Sequence, residues 1–430
     1  MNKRPTFISL PAAISIGIGG MIGAGIFSIL GVVATAAGSA MWISFLIGGI
    51  IALFSTYSYA KLGAKFPSAG GAVQFLIAGF GLGTVSGTIN IFMWLGYIIS
   101  IALYADGFAS YCLTFFTHTP TVMMKHAIAS TVVIAFTLLN MLGASTVGKA
   151  ELFIVAVKVS ILILFAVTGL FFIHPDHLSI SHWSQWDHIF FGAGVLFIGY
   201  EGFGLITNAA ADMANPETTL PIALYLSVFI VIAIYIAVSI AVIGNLSPNE
   251  ILASGDYALA QAAKPFLGIW GFKLIALAAL FSTASAINAT LFGAANVCYM
   301  VARDGELPAA FERRSWRNAS GGLLMTALIT LLFILFFDLS GIAMMGSGAF
   351  LIIYAAVNAG HLRILEQTGA KKSIIVTSLI LCLALFVLLE IYTYQHSPFA
   401  VYTMVLLLAC SFLIEKIFFY TTRNRGSDTK

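Results

Sequence analysis

The chain has 430 residues, of which 60% are hydrophobic and only 9% are charged. An ordinary soluble domain carries about 25% charged residues, so this composition cannot cover a water-facing surface. Disorder is excluded as well, because 35 Phe, 15 Tyr and 6 Trp residues would not stay solvated. The net charge of +3 is too small and too scattered to indicate a nucleic-acid partner. The sequence therefore predicts an all-α polytopic membrane protein that is surrounded by the lipid bilayer.

Apolar segments long enough to cross a bilayer follow one another along the chain. A membrane-spanning helix needs about 20 mostly apolar residues, and the first such segment is too long for a secretory signal, so we expect it to be retained. The twelve predicted spans are residues 9–37, 41–64, 84–116, 125–143, 149–173, 188–212, 217–244, 267–301, 321–338, 341–361, 372–393 and 398–420.

The basic residues give these spans an orientation. If the N-terminus is cytoplasmic, all but four of the 20 Lys and Arg residues fall on the inner side. The exceptions are Lys125, Lys264 and Lys273, which fall outside, and Lys158, which lies within a span. Because cytoplasmic loops carry an excess of Lys and Arg, we expect both termini in the cytoplasm and the protein in the cytoplasmic membrane.

Two spans are rich in glycine at matching positions. The first carries GIGGMIGAGIF at residues 17–27, and the sixth carries FIGYEGFG at residues 197–204. Glycine costs about 1 kcal/mol relative to alanine inside a helix, so we expect both spans to be interrupted. The interruptions lie 178 residues apart (201 − 23), and five spans per unit give two inverted repeats, as in secondary transporters. The alternative is that the glycines only let the helices pack closely.

An interrupted helix exposes main-chain dipoles at membrane depth, which is tolerated only where they line a cavity or the protein interior. Free N–H groups attract anions and free C=O groups attract cations, so a zwitterionic amino acid fits between them. We expect the carboxylate at the amides near Gly23, Ala24 and Gly25, after Met21 and Ile22. The ammonium is expected at the carbonyls near Gly19, Gly20, Phe197 and Ile198.

Several motifs resemble those of the amino acid–polyamine–organocation (APC) permeases. They are GMIGAGIF at 20–27, YAKLG at 59–63 with PSAGG at 67–71, GYEGF at 199–203 and ARDGELP at 302–308. The likeness runs over nearly the whole chain and is greatest to the ApcT-type amino acid transporters within that superfamily.

The resemblance implies a LeuT-like fold with broken first and sixth helices. Residues 1–173 would form the first five-helix repeat, 188–361 the second inverted repeat, 372–420 two additional helices and 421–430 a cytoplasmic tail. The resemblance also implies a secondary active transporter that imports amino acids by alternating access, independently of sodium and coupled to protons. No cofactor is implied beyond the proton as coupling ion.

Lys158 lies in the middle of an otherwise uncharged span. A charge there costs about 3 kcal/mol or more, so it must face the protein interior or water. Burial favours the neutral form of an amine, and we expect Lys158 to exchange a proton near neutral pH. The alternatives are a permanently charged structural tether and a side chain that reaches the membrane interface.

The resemblance places the Lys158 ammonium where sodium-coupled relatives of this fold hold their cation. The implied partners are carbonyls near Gly19 or Ile22 and hydroxyls among Ser282, Thr283 and Ser285.

Glu201 is a second charge, within the sixth-span interruption. It is expected to titrate, to gate or to steer the substrate ammonium, and the alternative is an acid that caps free amides. ApcT-type transporters have an apolar residue at this position, whereas other APC members carry an acid. The LeuT-like resemblance implies that Phe197 is a lid over the substrate and Phe203 a pocket wall, with Tyr200 a candidate hydrogen-bond donor.

The remaining polar signals are given structural interpretations. Five acids near helix ends are expected at the membrane interface: Asp106, Glu151, Asp212, Glu390 and Glu415. Four histidines between the fifth and sixth spans are interpreted as a solvated loop, because no Cys or acidic cluster joins them to make a metal site: His174, His177, His182 and His188.

Other functions stay open from the sequence. An exchanger of the same fold would keep Lys158 as a fixed cation and use no ion gradient, and a channel or a receptor would not concentrate a substrate. The chain contains no Walker motif, catalytic triad or metal-ligand helix, so we expect that it is not an enzyme.

Overall fold

The computed structural model describes residues 7–116, 120–141, 147–308, 311, 314–316 and 319–418. The predicted cytoplasmic tail at 421–430 and the first six residues lie outside this part of the chain.

Helices account for almost all of the described residues. The α-helices are α1 Leu10–Met21, α2 Ala24–Phe27, α3 Ile29–Ala37, α4 Met41–Lys65, α5 Ala72–Phe80, α6 Thr84–Leu113, α7 Val122–Met141, α8 Val147–Phe171, α9 Trp186–Leu196, α10 Pro216–Asn245, α11 Pro248–Ser254, α12 Ala258–Ala262, α13 Lys264–Arg303, α14 Gly321–Phe336, α15 Leu339–His361, α16 Leu365–Thr368, α17 Lys372–His396 and α18 Pro398–Phe418. The 3₁₀ helices are Pro175–Leu178, Ile180–His182, Phe197–Asp212 and Gly255–Tyr257, and two short antiparallel strands are β1 Arg314–Trp316 and β2 Ala319–Ser320.

In the part of the chain that the structure describes, every predicted span overlaps helical structure. Within the described residues, ten helices are long and apolar enough to cross a membrane. The first predicted span is divided among α1, α2 and α3, and the ninth is the 16-residue α14. An all-helical polytopic membrane protein is therefore confirmed, while the count of twelve crossings stays a prediction.

The helices divide into an inner group and a peripheral group. Almost all residues in the apolar part of α6 are buried, and α6 packs against α13 and α15. In contrast, α7, α17 and α18 expose large apolar side chains such as Met123, Ile391 and Val405. In a membrane protein such side chains face lipid, so the sequence encodes a buried centre and an apolar outer surface.

The segments 172–185 and 246–263 lie at one side of the bundle. We call this side the outer face, because the predicted orientation places it outside the cytoplasm. In the second segment, Ser247 and Glu250 form a capping box that starts α11. Gly255 follows with a φ of +50°, a left-handed conformation that glycine adopts without strain. This turn lies on α3, where a Cβ built on Gly31 would come 2.1 Å from the Gly255 carbonyl oxygen.

Candidate transport site

The first span is interrupted, as expected, at Ile22 and Gly23. Helix α1 ends at Met21, Ile22 has φ −78° and ψ 82°, and Gly23 has φ −134° and ψ −134°. In α2 the Phe27 N–H bonds the Gly23 carbonyl at 3.4 Å. The amides at the start of a helix precede its first internal hydrogen bond, so the N–H groups of Ala24 and Gly25 are available to an anion.

The sixth span differs from the expectation of an unwound segment. Helix α9 continues without a gap into a 3₁₀ helix over Phe197–Asp212. Runs of 3₁₀ helix longer than about four residues are uncommon, because their hydrogen bonds are poorly aligned. Side-chain hydroxyls add hydrogen bonds to its carbonyls: Tyr235 donates to Gly199 O at 3.1 Å and Tyr354 to Glu201 O at 2.9 Å. The discontinuity is therefore a change of helix type.

The glycines bring these two segments into main-chain contact. A Cβ built on Gly25 would lie 2.5 Å from the Gly199 Cα, and one built on Gly202 would lie 2.2 Å from the Gly20 carbonyl carbon. Atoms this close cannot coexist, so a side chain at either position would separate the segments. The glycines in the first span therefore have two effects. They coincide with the interruption of the helix, and they also allow the close helix packing that the sequence analysis gave as the alternative.

Lys158 reaches the first-span interruption from α8. Its side chain is 1% exposed, and its ammonium donates to Gly19 O at 3.0 Å and Ile22 O at 2.7 Å. The Ser282 hydroxyl on α13 also donates to Ile22 O, at 2.6 Å. The structure therefore joins α1, α8 and α13 at one carbonyl.

Thr283, a second hydroxyl expected near Lys158, bonds within its own helix. Thr283 donates to Ala279 O at 2.7 Å within its own helix. Ser285 is buried on the same helix. Ser282, one of the three expected hydroxyls, thus bonds the interruption directly.

Glu201 lies in the 3₁₀ segment and is buried beside a tyrosine of another helix. Its side chain is 2% exposed, and Oε1 accepts a hydrogen bond from Tyr104 on α6 at 3.2 Å. Its other oxygen, Oε2, has no hydrogen-bond partner among the described residues. The Tyr104 ring also lies beside Gly23, where a built Cβ would be 3.3 Å from the ring edge. A buried carboxylate oxygen therefore lies near the interruption and can accept from a cationic group.

The aromatic residues of the sixth span face the helices around it. Phe197 and Phe203 both pack on Tyr354, with ring centroids 5.7 Å and 5.1 Å away. Tyr200 donates to Phe45 O on α4 at 2.8 Å. All three are fully buried, so the arrangement is closed to solvent.

Sequence reasoning missed three tyrosines that complete this site. Tyr104, Tyr235 and Tyr354 lie on different helices, and each places its hydroxyl on one of the two segments. Isolated tyrosines in apolar spans have no distinctive spacing, so only the fold brings them together.

The described residues contain no group of three or more His, Cys, Asp or Glu side chains that could hold a metal ion. His182 instead bonds the Asp176 carbonyl within the outer segment, at 3.1 Å.

Comparison with known proteins places this arrangement in a family. The family model described as Amino acid permease matches residues 8–415. An uncharacterized protein of Methanocaldococcus jannaschii is 41% identical over 430 residues, covering 99% of this chain and 98% of that protein. The inner membrane transport protein YbaT of Escherichia coli is 33% identical over 377 residues, 87% of each chain.

A further relative carries a different substrate in its name. The methylthioribose transporter of Bacillus subtilis is 27% identical over 314 residues, which are 69% of this chain and 67% of that protein. The family match extends over nearly the whole sequence and all of the segments described above. The chain belongs to the amino acid permease family of the APC superfamily and is a multi-pass membrane transporter rather than an enzyme.

Proposed function

We propose that this protein imports amino acids across the cytoplasmic membrane by alternating access, driven by protons and independently of sodium. Both termini are cytoplasmic in this proposal, and the ten core helices form two inverted repeats. The observation that carries it is the Lys158 ammonium on the carbonyls of Gly19 and Ile22, beside the free amides of α2.

The substrate site follows from the charges that the main chain presents. The carboxylate binds the amides of Ala24 and Gly25, which carry the positive end of the α2 dipole. The ammonium binds carbonyls near Gly19, Gly20, Phe197 and Ile198, close to Glu201. Because main-chain groups recognise the part that all amino acids share, this site supports broad specificity.

Proton coupling follows from what Lys158 holds together. A protonated Lys158 donates to α1 from α8, while Ser282 reaches the same Ile22 carbonyl from α13. Loss of the proton removes the charge-assisted bonds and loosens this packing, which favours release of substrate to the inside. Protonation shifts the equilibrium between the outward and inward conformations only to the extent that Lys158 binds the proton more tightly in one of them than in the other.

The second candidate is an amino acid exchanger in which Lys158 is a fixed cation. It is favoured by the two short hydrogen bonds of the Lys158 ammonium, which also suit a permanent tether between α8 and α1. Counterflow of amino acids without net proton movement would select this candidate.

The test is uptake by the purified protein in proteoliposomes, with a panel of labelled amino acids and with methylthioribose as a non-amino-acid comparison. Inward proton and sodium gradients are imposed separately. We expect saturable, stereoselective accumulation of amino acids that responds to the proton gradient alone. Accumulation of methylthioribose alone, or dependence on sodium, would contradict the proposal, and non-saturable flux would indicate a channel.

A further inference from the structure

The hydroxyl of Tyr235 lies between the two segments of the candidate site. Tyr235 is on α10 and fully buried, and its oxygen is 2.6 Å from Met21 O and 3.1 Å from Gly199 O. A phenol carries a single proton, so it cannot donate a full hydrogen bond to both carbonyls at once. Met21 O also accepts from the Gly23 N–H at 2.9 Å, and Gly199 O lies within a 3₁₀ helix, so the two oxygens share Tyr235 as a donor for their second acceptor positions.

The Tyr235 ring is fixed from two sides. Phe45 on α4 packs edge-on against it with centroids 5.3 Å apart, and the Tyr200 ring is 5.2 Å away. The hydroxyl is also 3.4 Å from a Cβ built on Gly25, next to the main-chain contact between Gly25 and Gly199. The donor is thus held at the point where the first-span interruption meets the 3₁₀ segment.

An ammonium group suits the same two acceptors better than the phenol does. It has three N–H donors and a positive charge, so it can satisfy both carbonyls together. These carbonyls belong to the segments at which we place the substrate ammonium. Substrate and Tyr235 therefore compete for the same acceptors.

We propose that the Tyr235 hydroxyl replaces the substrate ammonium at Met21 O and Gly199 O when the transporter passes unloaded through the closed conformation. This inference rests on the proposed function. An unloaded carrier without this donor would bury the second acceptor position of each carbonyl with no hydrogen bond, which is costly. A loaded carrier brings its own donor and does not depend on the phenol.

Net uptake and exchange distinguish the unloaded carrier from the loaded one. Net uptake requires the unloaded carrier to return, whereas exchange of internal for external substrate is loaded in both directions. In Tyr235→Phe we expect net uptake to fall about tenfold while exchange stays within about twofold, because only the unloaded passage leaves the second acceptor positions of Met21 O and Gly199 O unpaired.

The experiment measures both modes in the same proteoliposomes, with one amino acid that the wild-type protein transports. The ratio of net uptake to exchange does not depend on how much of the variant is folded. Tyr111→Phe is the matched control, because it removes a buried tyrosine hydroxyl that donates to another main-chain carbonyl, Phe27 O. Its ratio should equal that of the wild type.

Three results would overturn the inference: an unchanged ratio in Tyr235→Phe, an equal change in both variants, or loss of exchange in Tyr235→Phe alone. If the wild-type protein moves no amino acid in either mode, it is the proposed function that fails. The two failures are therefore distinguished in one series.

Discussion

Two lysines in this protein are held by different kinds of partner. Lys158, at the first-span interruption, donates to the neutral main-chain oxygens of Gly19 and Ile22. Lys125, near the outer face, lies 2.6 Å from an Asp106 carboxylate oxygen and 2.8 Å from one of Asp256.

The difference concerns how each lysine would respond to the loss of its proton. Removing the proton from Lys125 would leave the carboxylates of Asp106 and Asp256 close together without their cation, which is unfavourable. Among the partners of Lys158, the carbonyls of Gly19 and Ile22 carry partial charge only, so they do not require a cation in the same way. We therefore assign Lys125 to a fixed connection among α6, α7 and the outer segment 246–263, whereas the proposed function gives proton exchange to Lys158.

The strongest test of this comparison is Lys158→Gln, which keeps a hydrogen-bond donor but cannot titrate in this pH range. We expect stimulation of uptake by an inward proton gradient to disappear, because the coupling group is gone. Uptake in proteoliposomes at a series of external pH values measures this.

Lys125→Gln is the control for that measurement, since it should leave the pH response intact. A normal pH profile in Lys158→Gln would refute the coupling role and favour the exchanger.

The carbonyls face Lys158 only while the first span keeps its position against the 3₁₀ segment, and this can be tested with Gly202→Ala. The new methyl group would lie 2.2 Å from the Gly20 carbonyl carbon, so the segments must separate. Overpacking of this kind costs about 1–3 kcal/mol, and we expect a lower melting temperature in detergent together with loss of transport.

Gly204→Ala is the matched control in the same segment. Its added methyl group would meet the nearest atom, on the Tyr59 ring, at an ordinary 3.5 Å. Equal effects of the two substitutions would show that the close contact is not what positions the interruption.

The outer lysine should behave as a structural connection. Lys125→Met leaves Asp106, which is 3% exposed in its side chain, without its cation. Because Lys125 and Asp256 are partly exposed, we expect a loss of about 1–2 kcal/mol of stability, less than for a fully buried pair. Thermal unfolding in detergent measures it.

Lys273→Met provides the comparison for Lys125→Met, because Lys273 is exposed and its ammonium lies 5.1 Å from the Trp270 ring centroid. A stability equal to the wild type in both variants would remove the distinction between the two lysine sites.

The sequence predicted the parts of this site that have a one-dimensional signal. Five glycines at 17–25 indicated the interruption, and a lone lysine in an apolar span indicated a buried cation. The apolar segments likewise gave the positions of the helices. These features depend on composition within one segment, where helix propensity and the cost of membrane charge act directly.

What the sequence did not predict depends on contacts between distant segments. The continuity of the sixth span as a 3₁₀ helix is fixed by neighbouring hydroxyls, including those of Tyr235 and Tyr354. Asp106 and Glu415, expected at the interface, are buried against other helices, and Glu415 packs beside Gly87. Spacing along one helix cannot specify such pairs.

The smallest effect expected from the comparison is that of Ser282→Ala. The Ser282 hydroxyl shares the Ile22 carbonyl with Lys158, so its removal leaves one of two donors in place. A hydrogen bond of this kind contributes about 0.5–1.5 kcal/mol, and we expect proton-driven uptake to fall about threefold with its pH dependence retained. Thr283→Ala removes a hydroxyl that bonds within its own helix, so we expect a smaller fall in uptake for this variant. If Ser282→Ala lost the pH response altogether, proton coupling would depend on the Ser282 hydroxyl as well as on the Lys158 amine. The comparison of the two lysines would then not be enough to explain the coupling.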